Sequence, residues 1–303
     1  MRRDQLPSGF SGMPCVSCTT ISAPLTDADF ADYFRGGLWT PSACNHSVSL
    51  WRAVRAAVGS DHALMPGAVA ISVAKLSFGE LTLKRKETVN LDLHHIGVPE
   101  GARILGVFLT PHGGNEEDGW LAPAISAQSF TTAPIPHQFW LHGFAAQGGS
   151  DSTNVNVLCS WVDPVSDPEL LPLWSAVEAY TAGSYQDVIV PASVAVESKL
   201  GSVLHAHFRQ FAGREKVERF LQDAATFSYQ LSPLLPAVMS GTGAPELPEE
   251  VAGMLSWLRN IRNKVAHSHA AVSREQAADA VCASLFGFRY LASYGPLVAP
   301  SQT

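Results

Sequence analysis

The chain has 303 residues, of which 46% are hydrophobic and 16% charged, with a net charge of −7 and an isoelectric point near 5.8. That length accommodates two domains, the composition is globular rather than disordered, and the acidic balance excludes a general nucleic-acid coat, so any RNA contact has to be local. No apolar run of membrane-spanning length stands out, the start Met1-Arg2-Arg3-Asp4-Gln5 lacks the apolar stretch of a signal peptide, and five cysteines, an odd number, suit a reducing cytoplasm.

Residues 1–62 read as a mixed N-terminal segment. Pro7, Gly9, Gly12 and Pro14 make an irregular start. Asp27 to Phe34 reads as a short helix with Thr26 as its N-cap, and Ser49 to Val58 as another. Cys15-Val16-Ser17-Cys18 has the spacing of a zinc-ligand pair, and Cys44-Asn45-His46 would complete three thiolates and an imidazole. The Cys-x-His step is tighter than the usual second pair and nothing repeats it. The expectation is therefore thiols on a loose segment, with no metal and no cofactor.

Residues 63–165 change to a period of two. Val69, Ile71 and Val73 alternate with small residues, Leu81 and Leu83 with polar ones, and Val89, Leu91 and Leu93 follow. Arg103 to Leu109, Gln138 to Phe144 and Val155 to Val162 are further strands, separated by Gly, Pro and Asp clusters. The pattern predicts an antiparallel β-sandwich or barrel, with Trp120, Trp140 and Trp161 in its core and His94, His95, His112, His137 and His142 as structural residues.

Asp163-Pro164-Val165-Ser166-Asp167-Pro168 marks a boundary, and 166–303 has helical periodicity. Four apolar stripes run through Val196–Phe211, Val217–Leu231, Leu247–Val265 and Ala277–Leu291, the pattern of a bundle. Ser273 and Gln276 form a capping box for the last helix. The whole reads as α+β, an N-terminal β-rich part followed by an all-helical one.

The third stripe ends in Arg259-Asn260-Ile261-Arg262-Asn263-Lys264-Val265-Ala266-His267. A fixed guanidinium holds an anion with paired donors, and an imidazole moves protons near neutral pH. Five helical residues turn Arg262 and His267 about 140° apart, so facing one phosphate requires a bend in the last turn. His269 is the rival base, because seven residues return it to the Arg262 face. The alternative is that Arg262 and Asn263 cap the helix end and His267 meets its dipole.

Arg262-Asn263-Lys264-Val265-Ala266-His267 resembles the arginine–histidine signature of the HEPN superfamily, small all-helical domains that include many metal-independent endoribonucleases. Val194-Ala195-Val196-Glu197 is similar to the first helix of many members. The likeness covers roughly the last 130 residues, the size of one domain. It implies that Arg262 binds the scissile phosphate, that His267 is the general acid or base and that Asn263 orients. Glu197 and Arg259 are supporting residues, with Glu197 expected to pair with Arg262. It also implies RNA as substrate, a homodimer through the helical part that brings two motifs to one cleft, and a toxin or antiviral-defence role in the cytoplasm. The β-rich part is then a regulatory module for a protein or ligand. The competing readings are a helical module that binds a nucleotide or protein without catalysis, and a ligand-binding β-domain dimerised by the bundle.

Overall fold

The computed structural model describes residues 13, 15–18, 25–42, 44–59, 75–112, 121–125, 138–145, 152–162, 168–268 and 270–298. The strand expected around Val69 to Val73, Trp120 and His137 lie outside these residues. The fold is α+β, and the chain divides into two compact units. One spans Val73–Ser166; the other joins Gly12–Ser72 to Asp167–Thr303, so the β unit is an insertion in the chain of the helical unit rather than a domain preceding it.

The β unit contains β1 (Lys75–Lys84), β2 (Thr88–Asp92), β3 (Arg103–His112), β4 (Leu121–Ile125), β5 (Gln138–Ala145) and β6 (Ser152–Val162). They form two three-stranded antiparallel sheets, ordered β1-β6-β3 and β2-β5-β4. Among the described residues, these two small sheets stand where the sequence predicts a sandwich or barrel. β1 and β2 are neighbours in sequence yet belong to different sheets. Lys86, at φ +61°, turns the chain between them, and the Lys84 N–H donates to Glu87 Oε2 at 3.1 Å.

β6 is central, and both its faces are covered. Val155, Val157, Cys159 and Trp161 are buried on one, Asn156 and Leu158 on the other. Trp161 Nε1 donates to Ser77 Oγ on β1 at 2.9 Å, which satisfies the indole inside the core. Leu83, Leu91, Leu141 and Val157 join one apolar cluster drawn from both sheets. Gly79 has no side chain because a Cβ there would collide with Ile96 Cγ2 from the short helical turn Leu93–Ile96.

The helical unit begins with α1 (Asp27–Phe34) and α2 (Leu50–Gly59), then continues after the insertion with α3 (Leu171–Thr181), α4 (Tyr185–Phe208), α5 (Arg214–Arg219), α6 (Leu235–Ser240), α7 (Glu249–Ser268) and α8 (Arg274–Val298). Local signals set several ends. Thr26 Oγ1 accepts from the Asp29 N–H and Asp29 Oδ2 accepts from the Thr26 N–H, a complete capping box. Ser273 and Gln276 make the same exchange at 3.2 and 3.0 Å.

The stripe Val217 to Leu231 does not make one helix. After α5 the chain forms a π turn at Phe220–Ala224, Ala225 is extended, and a second π turn at Gln230–Leu234 contains Pro233. Proline removes a helical donor and clashes with the preceding turn, which ends the regular run. α3, not anticipated from periodicity, buries Leu173, Trp174, Val177 and Tyr180.

α4 and α8 are the axis of this unit, packed against one another, with α3 and α7 beside α4. α4 is long and apolar enough to cross a membrane, with mean hydropathy 1.2, but half of that stretch is buried within the unit, the position of a core helix. α8 is buried almost all round, every residue from Val281 to Phe288 included, so it is a central helix rather than an amphipathic cover. Its far side is closed by α1 and α2. Phe30, Tyr33 and Trp51 set their rings 5.3, 5.2 and 5.0 Å from that of Phe286. Arg55 meets Asp279 at 2.5 Å and Arg289 meets Asp27 at 2.6 Å. This corrects the division at residue 62: Asp27 to Gly59 belongs to the helical core, because a helix buried on all sides needs partners on all sides.

Candidate functional site

α7 presents the arginine–histidine sequence. Val251, Leu255, Leu258, Ile261 and Val265 form its buried stripe, the spacing of three and four that seats a helix on a core. Arg262 follows Ile261 and is therefore half-buried at the margin of this stripe, as is Asn263, whereas Lys264, Ala266 and His267 are exposed. Arg262 Nη1 donates to Asn263 Oδ1 at 3.2 Å. Arg262 Nε is buried and finds no hydrogen-bond partner among the described residues.

α7 stays helical through Ser268, whose Oγ donates to the Lys264 carbonyl at 2.6 Å. His267 thus lies in a regular last turn, and the bend that would bring it to Arg262 is absent. Among the described residues no hydrogen bond joins the two. The structure brings Arg262 and Asn263 together and leaves His267 on another face of the same helix. His269 lies outside the described residues.

The supporting residues are placed differently from expectation. Glu197 on α4 accepts from Ser193 Oγ at 2.7 Å, one turn back on its own helix, and is not paired with Arg262. Arg259 donates through Nη1 to Ser228 Oγ, which ties it to the segment after the first π turn.

Glu197 lines a cleft of about 560 Å³ with Gly201, Ser202, His205, Glu218 and Gln230. His205 Nε2 and His207 Nδ1, also on α4, are buried and accept or donate no hydrogen bond among the described residues. Sequence reasoning placed His207 in an apolar stripe and passed over His205. The available signal was a pair of histidines at i and i+2 in the last turn of a core helix.

A second polar cluster lies at the N-terminal end of the same unit. Cys15, Cys18, Cys44 and His46 place their ligand atoms within 4.8 Å of one another, and Cys15 Sγ lies 3.9 Å from His46 Nδ1. Cys15 is buried, Cys18 and Cys44 half-buried and His46 exposed. Cys15 precedes, and Cys18 ends, a tight turn at residues 16–18. Cys44 and His46 sit on a hairpin closed by mutual backbone bonds between Trp39 and Val48 at 2.9 Å and by the Thr40 and Ser47 hydroxyls at 3.0 Å. The His46 backbone N–H by itself would favour the Cys44 thiolate. Desolvation and the Cys15 and Cys18 sulfurs outweigh it and raise the thiol above its ordinary range. The cysteines are free thiols, as expected from the sequence, and the structure adds that they converge with His46. Cys159 and Cys282, by contrast, are fully buried core residues, and burial pushes the Cys159 thiol up to about 12.

The fold and these two clusters define an α+β protein whose helical unit carries the candidate chemistry. Comparison with protein-family models, with curated proteins and with solved structures finds no match to this chain.

Proposed function

We propose that the protein is a metal-independent endoribonuclease of the HEPN kind, acting from the helical unit. The observation that carries this reading is the half-buried Arg262, whose Nε has no partner among the described residues. An unfilled guanidinium donor at the margin of a core costs stability, and such groups persist where a ligand fills them. A phosphate is the ligand whose oxygens match the guanidinium fork.

In this reading Arg262 holds the scissile phosphate and the charge that develops on it, and Asn263, already bonded to Arg262, orients it. His267 takes the proton from the 2′-hydroxyl or delivers one to the departing 5′-oxygen. The attack leaves a 2′,3′-cyclic phosphate on one fragment and a 5′-hydroxyl on the other. Because Arg262 and His267 diverge on one regular helix, the proton carrier is His267 from a second copy facing the first across a homodimer. The β unit serves as a small sandwich-like regulatory module, the protein a toxin or defence effector in the cytoplasm.

The test is cleavage of RNA by purified protein in EDTA without magnesium, with analysis of product ends. Cyclic-phosphate ends, lost in both Arg262→Ala and His267→Ala, are the expected result. Undiminished cleavage in both variants would remove the reading.

One observation favours a second reading. His267 is exposed and directed away from Arg262 along an unbroken helix, as in a bundle that binds a nucleotide or protein through Arg262 without catalysis. Binding of RNA without cleavage, abolished by Arg262→Ala alone, would select it.

A further inference from the structure

We propose that Cys15, Cys18, Cys44 and His46 form a closed structural zinc site that ties the N-terminal turn to the 39–48 hairpin of the helical unit. The inference is independent of the ribonuclease reading and stands on three observations.

The first is convergence. Two ligands come from one turn and two from a hairpin tip more than twenty residues later, yet all four ligand atoms fall within 4.8 Å of one another. Tetrahedral coordination with zinc–sulfur bonds of 2.3 Å and zinc–nitrogen bonds near 2.0 Å sets sulfur–sulfur separations of about 3.8 Å and sulfur–nitrogen separations of about 3.6 Å. The 3.9 Å between Cys15 Sγ and His46 Nδ1 is already close to that value.

The second is the donor set. Three thiolates and an imidazole select a borderline-soft divalent cation in tetrahedral geometry, and hard cations such as magnesium or calcium are disfavoured. Four protein ligands fill the sphere and leave no position for water or substrate, which marks the site as structural. On binding, the three thiols release their protons to solvent, His46 enters neutral, and the centre carries a net charge of −1.

The third is that the cluster lies on a turn and a hairpin rather than on regular secondary structure. Around the cluster, the turn at 16–18 contributes no regular element. The hairpin is closed by the Trp39–Val48 bridge, the Thr40–Ser47 hydroxyl pair and the Cys44 N–H donating to the Pro41 carbonyl at 3.2 Å. Only Met13 and Cys15 of the described residues before Leu25 are buried. A metal bound at this point would turn the convergence of the four ligand atoms into folding free energy.

The test is elemental analysis of the full chain, purified under reducing conditions and desalted, followed by removal of metal and titration with zinc alone. About one zinc per chain is expected, as are proton release on reloading and a thermal midpoint that falls when zinc is stripped and recovers when it returns. Cobalt in its place should show the thiolate charge-transfer and intense visible bands of a tetrahedral sulfur site. Cys18→Ser and Cys44→Ser should lose the metal, and Cys159→Ser, in the β unit, should keep it. If a variant does not fold, the titration of wild-type protein decides alone. Reduced wild-type protein that takes up no zinc overturns the proposal. So does zinc retained in the Cys15→Ser/Cys44→Ser double variant, or a Cys15–Cys44 disulfide that forms and persists in place of metal.

Discussion

The two polar clusters of the helical unit are built in opposite ways. Arg262, Asn263 and His267 share one helix, so their mutual directions are fixed by its pitch, and an unbroken helix through Ser268 keeps arginine and histidine on different faces. Cys15, Cys18, Cys44 and His46 come from two short irregular segments, whose backbones are free to aim four ligand atoms at one point. Close spacing in sequence therefore produced a pair that one chain does not close. Wide spacing produced a cluster that one chain does. A helix is a good scaffold for presenting groups to a partner surface, and loops are the better scaffold for surrounding a point.

The largest expected effect concerns the core on which both clusters rest. A fragment of residues 168–303 should show no cooperative thermal transition, because Phe286 and its neighbours lose Phe30, Tyr33 and Trp51. A fusion of residues 12–72 to 167–303 through a flexible linker should restore one. Circular dichroism melting of the two compares them directly, and a cooperative melt of the shorter fragment would separate the metal-ligand corner from the core after all. Within the full chain, Phe286→Ala should cost ~3–5 kcal/mol in denaturant unfolding.

Next in size is Arg262. Arg262→Met should lower RNA cleavage about 10²–10³-fold, the usual range for loss of a donor to developing charge. Its thermal midpoint should nevertheless hold or rise, since the change removes a buried donor without a partner and keeps the apolar stem. A marked fall in stability would mean that the guanidinium serves the fold.

The histidines sharpen the same point. His267→Ala should reduce cleavage with no change in stability, as expected of an exposed side chain. Mixing Arg262→Ala with His267→Ala protein should restore part of the activity, because mixed dimers keep one intact composite site. Absence of complementation, with a monomer in light scattering, would contradict the two-chain site. Full activity in His267→Ala with loss in His269→Ala would move the proton carrier to His269.

The smallest effect tests the contact between the N-terminal helices and α7. Tyr33 donates to Glu250 Oε1 at 2.6 Å from a ring that is itself buried. Tyr33→Phe should cost about 1 kcal/mol in urea unfolding and leave cleavage unchanged. A loss of activity would couple this contact to the Arg262 end of the helix.

Much of this architecture was legible locally. The Thr26 cap, the Ser273–Gln276 box, the bounds of α1 and five of the six strands follow from residues within a few positions of one another. The buried state of Val157, Trp161 and Cys282 follows from composition and period. The division of β1 and β2 between two sheets, the breaks after α5 and the capture of α1 and α2 by α8 did not follow. Nor did the partners of Glu197 and Arg259, or the unpaired nitrogens of His205 and His207.

The sequence by itself determined most helix and strand segments, with β4, α3 and the breaks after α5 the exceptions, because caps, turns and hydrophobic periods act within about one or two turns of chain. It also determined the chemistry on offer: one arginine–asparagine–histidine run, and three cysteines with one histidine. Only the tertiary structure decided what each meets. α8 is buried almost all round, a property any stripe on one face understates, and some of its partners come from α1 and α2, which precede the insertion in the chain. The four metal ligands meet because two loops are anchored on that same core, and no spacing rule relates Cys18 to Cys44. Burial and convergence depend on the whole chain's packing, and that is information a local pattern does not hold.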